Sequence, residues 1–164
     1  MSKDVRPVTR SGSGYVLHLG REERALVSRL LDELRALLTE PADPELVRRL
    51  FPVVHPDDAE REAEYQRLMR DELVASRLAG IETVSDVLGR SGRKVTFDEG
   101  QMIAFMQAVN GVRLVLGTVL DITEDDELGD PGLGDEGVED SPEYHLYGYL
   151  SWVLDATVRA LSGE

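Results

Sequence analysis

The apolar stretch from residue 101 to residue 122 is the feature that most constrains how this chain can fold. It reads QMIAFMQAVNGVRLVLGTVLDI and contains no proline. On a helical wheel, its apolar side chains cover more than half of the circumference. They are Phe105, Ala108, Val109, Val112, Val115, Leu116, Val119 and Ile122. Because so wide an apolar arc must contact several neighbouring elements, we expect residues 98–121 to form the central helix of a mainly α-helical domain.

The rest of that wheel is a narrow stripe that contains Asn110, Arg113, Gly117 and Asp121. Their spacing places them on one helix face. Glycine costs about 1 kcal/mol relative to alanine inside a helix, so Gly111 and Gly117 suggest that another backbone comes close. The stripe is either structural, with Arg113 paired to an acid on a neighbouring helix, or part of a partner-binding surface. No base or nucleophile stands beside it, so we predict no catalytic residue.

Four further helices are predicted from apolar residues at helical spacing and from capping residues. They cover residues 21–38, 44–51, 56–88 and 142–161. Asp43 followed by Pro44 is a favourable start for the second of these, and Ser141 followed by Pro142 is one for the last. Gly80 is a candidate kink in the longest helix. Together with the central helix, they predict a bundle of about five helices.

Two short segments with strand character lie near residues 15–19 (YVLHL) and 94–97 (KVTF). We expect them to pair antiparallel as a two-stranded ribbon, which needs the helices to pack against it. Residues 1–14 contain SGSG and are expected to be a flexible arm. Residues 15–164 are expected to form one helical domain, with an acidic, glycine-rich loop at residues 122–141.

The negative charge of the chain is concentrated in one segment. The formal net charge is −14, and residues 121–143 contain 11 acidic residues and no basic one. The rest of the chain has 21 acidic and 18 basic residues, so it is close to neutral. An acidic segment without a compensating basic face repels phosphates, so we expect no direct binding of nucleic acid.

The sequence also argues against several other classes of site. It contains no cysteine, and His18, His55 and His145 are dispersed, so we expect neither a thiol centre nor a metal site. The segment GLGDEG at residues 132–137 matches a dinucleotide fingerprint by letter only, because no strand precedes it, and we expect no cofactor. No secretory signal and no run of about 18 apolar residues is found, so we expect a cytoplasmic protein without a membrane contact.

The last predicted helix is rich in aromatic residues, and these cannot all face one core. Tyr149 and Trp152 are therefore candidates for anchoring a partner or a second copy of the chain, because such side chains dominate interfaces. A homodimer is compatible with the sequence. The alternative is that both rings pack inside the domain.

Two segments, VTFDEGQMIAFMQAVNGVRLVLGTVLDI and EYHLYGYLSWVLDATVRAL, resemble a family found in high-GC Gram-positive bacteria. This is the AosR type of oxidative-stress transcriptional regulator, formerly a domain of unknown function and often encoded beside the ClpS protease adaptor. The resemblance covers about residues 15–161 and includes LHLGREERALVSRLLDELRALL near the start. It implies a regulator that contacts a sigma factor or RNA polymerase. Because this chain lacks cysteine, it cannot sense oxidation through its own disulfide.

Three functions therefore follow as hypotheses. The first is a non-enzymatic cytoplasmic regulatory protein that acts by protein–protein contact. The second, suggested only by the gene neighbourhood, is an adaptor or accessory factor of ClpS/Clp proteolysis. The third is a small-molecule-binding domain, which would require an apolar cavity with converging polar groups.

Overall fold

A computed structural model describes residues 6–40, 44–90, 92, 94–121 and 141–164. The elements, in chain order, are β1 (Val8–Ser11), β2 (Gly14–Leu17), α1 (Arg21–Thr39), a 3-10 helix (Pro44–Leu50), α2 (Ala59–Arg90), β3 (Val95–Phe97), α3 (Glu99–Val119) and α4 (Pro142–Ser162). The fold is therefore mainly α-helical with a small antiparallel sheet, as predicted. The predicted acidic loop and the GLGDEG segment lie outside the described residues, apart from Ser141.

Helix α3 occupies the centre of the domain, as its wide apolar arc predicts. It packs against α1, α2, α4, the 3-10 helix and two of the strands. Its fully buried side chains are Met102, Phe105, Ala108, Val109 and Val112. Asp98 caps its start, because its Oδ1 accepts a bond from the backbone N–H of Gln101 at 2.7 Å, while the Gln101 side chain accepts one from the backbone N–H of Asp98 at 2.9 Å.

Glu99–Val119 is also long and apolar enough to span a membrane, judged by length and composition alone, with a mean hydropathy of 1.5. The segment also contains polar residues, among them Glu99, Gln107, Asn110 and Arg113. The same composition is expected of a helix at the centre of a protein core. In the structure, 39% of its most apolar 18-residue window is buried inside the domain.

The sheet has three strands in the order β1–β2–β3, one more than predicted. The predicted pairing is present, since β2 and β3 are antiparallel with Tyr15 opposite Phe97 and Leu17 opposite Val95. The additional strand β1 pairs antiparallel with β2 from Val8 to Ser11. The expectation of a flexible arm over residues 1–14 was therefore wrong for residues 8–11. Val8 is only 2% exposed, so burial of its side chain holds this segment in place.

Helix α2 is the longest element, with 32 residues and a length of about 48 Å. It continues through Gly80 without a break, so the helix is not split at that position. Its buried residues all lie in its second half and are Ile81, Val84, Val87 and Leu88. Its first half is held at the loop that precedes it, where the Arg70 guanidinium lies 3.8 Å from the centre of the Phe51 ring.

Candidate functional site

Asn110 and Arg113, two residues of the predicted polar stripe, are joined on the side of α3 that faces α4. The Arg113 Nε and Nη2 atoms donate to Oδ1 of Asn110 at 3.3 and 3.2 Å. Arg113 Nη1 donates to the Tyr147 hydroxyl on α4 at 3.1 Å. All three side chains are partly buried. The guanidinium therefore links the central helix to the last helix through an amide and a hydroxyl group.

Gly117 and the neighbouring Gly111 mark two places where an arginine from another element comes against α3. A Cβ atom at Gly117 would lie 2.9 Å from Arg49 Nη1 and 3.4 Å from Cε2 of Tyr147. A Cβ atom at Gly111 would lie 3.1 Å from Cδ2 of Leu34 and 3.5 Å from Arg77 Nη1. Both glycines therefore provide room for a guanidinium group beside the central helix, and the groups that come close are side chains rather than the backbone expected from the sequence.

Asp121 does not join the other stripe residues. It follows the end of α3 with a positive φ of 55°, and its backbone N–H donates to the Thr118 carbonyl at 3.1 Å. Its exposed carboxylate makes no hydrogen bond or ion pair with any part of the chain that the structure describes. The helical spacing that placed Asp121 on the stripe does not hold once the backbone leaves the helix.

The two candidate interface aromatics have different environments. Tyr149 is partly buried, and its hydroxyl donates to Oε2 of Glu23 on α1 at 3.3 Å. Burial, together with the charge and hydrogen bond of Glu23, raises the pKa of Tyr149 far above its ordinary value. Trp152 is 43% exposed, and its ring centre is 6.0 Å from that of Tyr149. Tyr149 thus holds α4 to α1, whereas Trp152 remains available to a partner.

Trp152 lies at a cleft of about 480 Å³ between the segment of β1 and helix α4. Three arginines line this cleft, Arg6, Arg10 and Arg159, along with the two acidic residues Asp155 and Glu164. Asp155 forms an ion pair with Arg159, with 3.1 Å between Oδ2 and Nε. The cleft therefore combines an indole ring with a local excess of positive charge in an otherwise acidic chain.

A second cavity of about 240 Å³ lies between α1, the 3-10 helix, α2 and α3. Its lining is mixed, with leucine, isoleucine and alanine side chains beside four polar side chains, Ser76, Arg77, Gln107 and Asn110. The sequence analysis missed Arg77, because it lies in a long helix of mixed charge. The only sequence signal was Gly111, the small residue against which Arg77 packs.

The arrangement offers no evident centre for metal binding. Within the described ranges, no group of three or more histidine, aspartate or glutamate side chains is placed to hold a metal ion. His18 is hydrogen-bonded to Thr9 at 2.7 Å, and the His55 ring packs edge-on against Tyr65.

Comparison with known proteins identifies one family. The family model described as a domain of unknown function, DUF2017, matches residues 5–161. No curated protein and no solved structure matches the chain. The matched range contains every element described above except the last residue of α4. The chain therefore belongs to the DUF2017 family.

Proposed function

We propose that this chain is a non-enzymatic cytoplasmic regulatory protein that acts by contact with a sigma factor or RNA polymerase. The resemblance of its central and last helices to the AosR-type transcriptional regulators supports the choice of partner. The concentration of acidic residues in one segment supports a protein partner rather than nucleic acid.

The observation that carries the proposal is the exposure of Trp152 beside a cleft with three arginines. Tryptophan and arginine are enriched among the residues that contribute most to protein–protein binding. Tyr149, fixed by its bond to Glu23, supports one side of the indole ring. The surface formed by Trp152, Arg6, Arg10 and Arg159 is therefore the proposed contact, and it suits a partner segment with apolar and acidic side chains.

The proposal is tested by affinity purification of the tagged chain from the organism that encodes it, with mass spectrometry of the bound proteins. The decisive variant is Trp152→Ala. Val158→Ala is the matched control, because Val158 is 44% exposed on the same helix and does not line the cleft. We expect sigma factor or polymerase subunits with the wild type and the control. Recovery with Trp152→Ala should fall about tenfold, as for loss of an interface anchor.

Two other results would contradict the proposal. Recovery of Clp protease subunits or ClpS in place of transcription proteins would support the adaptor hypothesis. Equal recovery of the transcription proteins with Trp152→Ala would place the contact elsewhere on the chain. Thermal melting of each variant establishes that a lost contact does not result from unfolding.

A further inference from the structure

The cavity beside Arg77 contains a positive charge without a counter-charge. Arg77 Nη2 donates to the Leu50 carbonyl at 3.2 Å, and Arg77 makes no ion pair within the described part of the chain. Among the residues that the structure describes, no aspartate or glutamate lines the cavity. Burial alone lowers the pKa of Arg77, with no neighbouring carboxylate to oppose it. A guanidinium has five N–H donors and remains charged in proteins, so most of its hydrogen-bonding capacity is unused here.

Asn110 adds a second donor to the same cavity. Its Oδ1 atom accepts two hydrogen bonds from Arg113. Because a guanidinium can only donate, the oxygen of the Asn110 amide must face Arg113 and the nitrogen must face away from it. The Nδ2 atom makes no hydrogen bond with any described residue. Asn110 therefore lines the cavity with its acceptor atom occupied and its amide donor unused by the described residues.

The remaining walls of the cavity are mostly apolar. The buried side chains of Leu34, Leu50, Ile81 and Ala108 line it, together with the partly buried Leu73 and Ala104. Such a combination, an apolar pocket with a few converging polar groups, is typical of small-molecule sites. A ligand that bonds to both Arg77 and Asn110 must provide hydrogen-bond acceptors, because both side chains offer donors. A single negative charge on the ligand would neutralise the guanidinium.

We propose that this cavity binds a small monocarboxylate with an aliphatic tail. The carboxylate accepts hydrogen bonds from Arg77 and Asn110, and the tail packs against the leucine and isoleucine side chains. The inference does not depend on the proposed partner contact, since the cavity and the Trp152 surface are formed by different residues. It gives the chain a ligand site connected through Asn110 and Arg113 to helix α4.

The test measures binding of hexanoate to the full chain by calorimetry and by amide chemical shifts, with acetate and the neutral hexanamide for comparison. We expect saturable binding of hexanoate with a dissociation constant of about 1 mM or below. Acetate should bind more weakly, because it lacks the tail. Hexanamide should bind about tenfold more weakly, because it cannot pair with the guanidinium.

Three variants separate the site from the rest of the molecule. Arg77→Gln removes the charge and should weaken hexanoate binding about tenfold. Arg67→Gln is the matched control, since Arg67 is exposed on the same helix and outside the cavity. Gly80→Leu adds a side chain to the wall of the cavity one helical turn from Arg77, and a Cβ atom at Gly80 meets nothing within 4 Å, so this variant should fold and should bind hexanoate at least tenfold more weakly.

The proposal is overturned if the folded wild type shows no saturable binding of hexanoate, or if hexanamide binds equally well. It is also overturned if Gly80→Leu, with a normal circular dichroism spectrum, binds hexanoate as tightly as the wild type. Should Arg77→Gln fail to fold, the comparison between Gly80→Leu and Arg67→Gln decides the outcome.

Discussion

Gly111 and Gly117 differ in what stands opposite their α-carbons, and this difference has a measurable consequence. Alanine gains about 1 kcal/mol of helix stability over glycine. At Gly117 the closest atom is the end of the flexible Arg49 side chain, which can move, so Gly117→Ala should stabilise the protein by up to about 1 kcal/mol. At Gly111 the closest atom belongs to Leu34, which is 3% exposed and closely packed.

For Gly111→Ala, strain against Leu34 should cancel the helix gain, leaving the variant no more stable than the wild type. The measurement is the free energy of unfolding by urea for both alanine variants. A larger stabilisation at Gly111 than at Gly117 would show that Leu34 can move aside, contrary to this account.

Arg113 should contribute to stability through its links to Asn110 and Tyr147. Arg113→Ala removes the hydrogen bonds from Arg113 to Asn110 on the same helix and to Tyr147 on α4. We expect a loss of about 2 kcal/mol in the free energy of unfolding, because the bonds involve a charged, partly buried donor. Arg48→Ala is the control, since Arg48 makes an exposed pair with Glu45 and should cost less than about 0.5 kcal/mol. Equal losses would mean that the Arg113 network is energetically unimportant.

The part of the candidate site that lies within one regular helix could be predicted from the sequence, whereas the part that depends on the end of the helix or on tertiary packing could not. Asn110, Arg113 and Gly117 lie within a regular helix, so their spacing determines their face. Asp121 lies beyond the last helical turn and itself has a positive φ, so helical spacing does not give the direction of its side chain. Arg77 could not be predicted as a site residue from the sequence, because the cavity that it lines is formed by tertiary packing of several elements.

At the scale of elements, strand β1 was not predicted, although the sequence contains a turn signal for it. The segment VTRSGSGYVL has small polar residues that lower strand propensity, which favoured the expectation of an arm. Yet Gly12 and Ser13 form a two-residue turn between the paired residues Ser11 and Gly14, with Gly12 at φ +61°. Glycine at the first position of such a turn is typical of hairpins. The helices were easier to predict, because their apolar periodicity extends over many residues.

The start of α2 depends on one carboxylate. The Glu62 side chain accepts bonds from the backbone N–H groups of Val54 at 3.0 Å and His55 at 2.7 Å, and from the Gln66 amide at 2.9 Å. The bond from Gln66, followed by that from His55, lowers the pKa of Glu62 below its ordinary value. A lowered folded-state pKa means that ionised Glu62 stabilises the folded state above its unfolded-state pKa, and that this contribution is lost as the pH falls.

We therefore expect Glu62→Gln to destabilise the protein at neutral pH, with the difference from wild type shrinking once the pH falls below about 4.3. The measurement is the urea midpoint of both proteins between neutral and acidic pH. Glu64→Gln is the control, because exposed Glu64 accepts no hydrogen bond from any described residue and its replacement should have little effect. A difference for Glu62→Gln that grows on acidification would reverse the assigned sign.

At the scale of the whole molecule, the described elements share one hydrophobic core. The buried cluster includes side chains from all three strands and all the helices, including Val8 of β1, Val47 of the 3-10 helix and Val153 of α4. Because α3 contacts nearly every other element, removing a side chain from its centre should weaken the whole domain rather than one region. Phe105, which is fully buried and packs against Phe97, is the appropriate residue for this test.

Phe105→Ala should lower the free energy of unfolding by about 4 kcal/mol, the cost of a large cavity in a core. Ile103→Ala, on the same helix but 37% exposed, should cost less than about 1.5 kcal/mol. Trp152 is the only tryptophan, so its fluorescence reports on α4, while far-ultraviolet circular dichroism reports on all helices. If one core joins these elements, both signals change at the same urea concentration in each protein. If the fluorescence transition of Phe105→Ala separated from its circular dichroism transition, α4 would unfold independently, and the Asn110–Arg113–Tyr147 network would not couple it to the central helix.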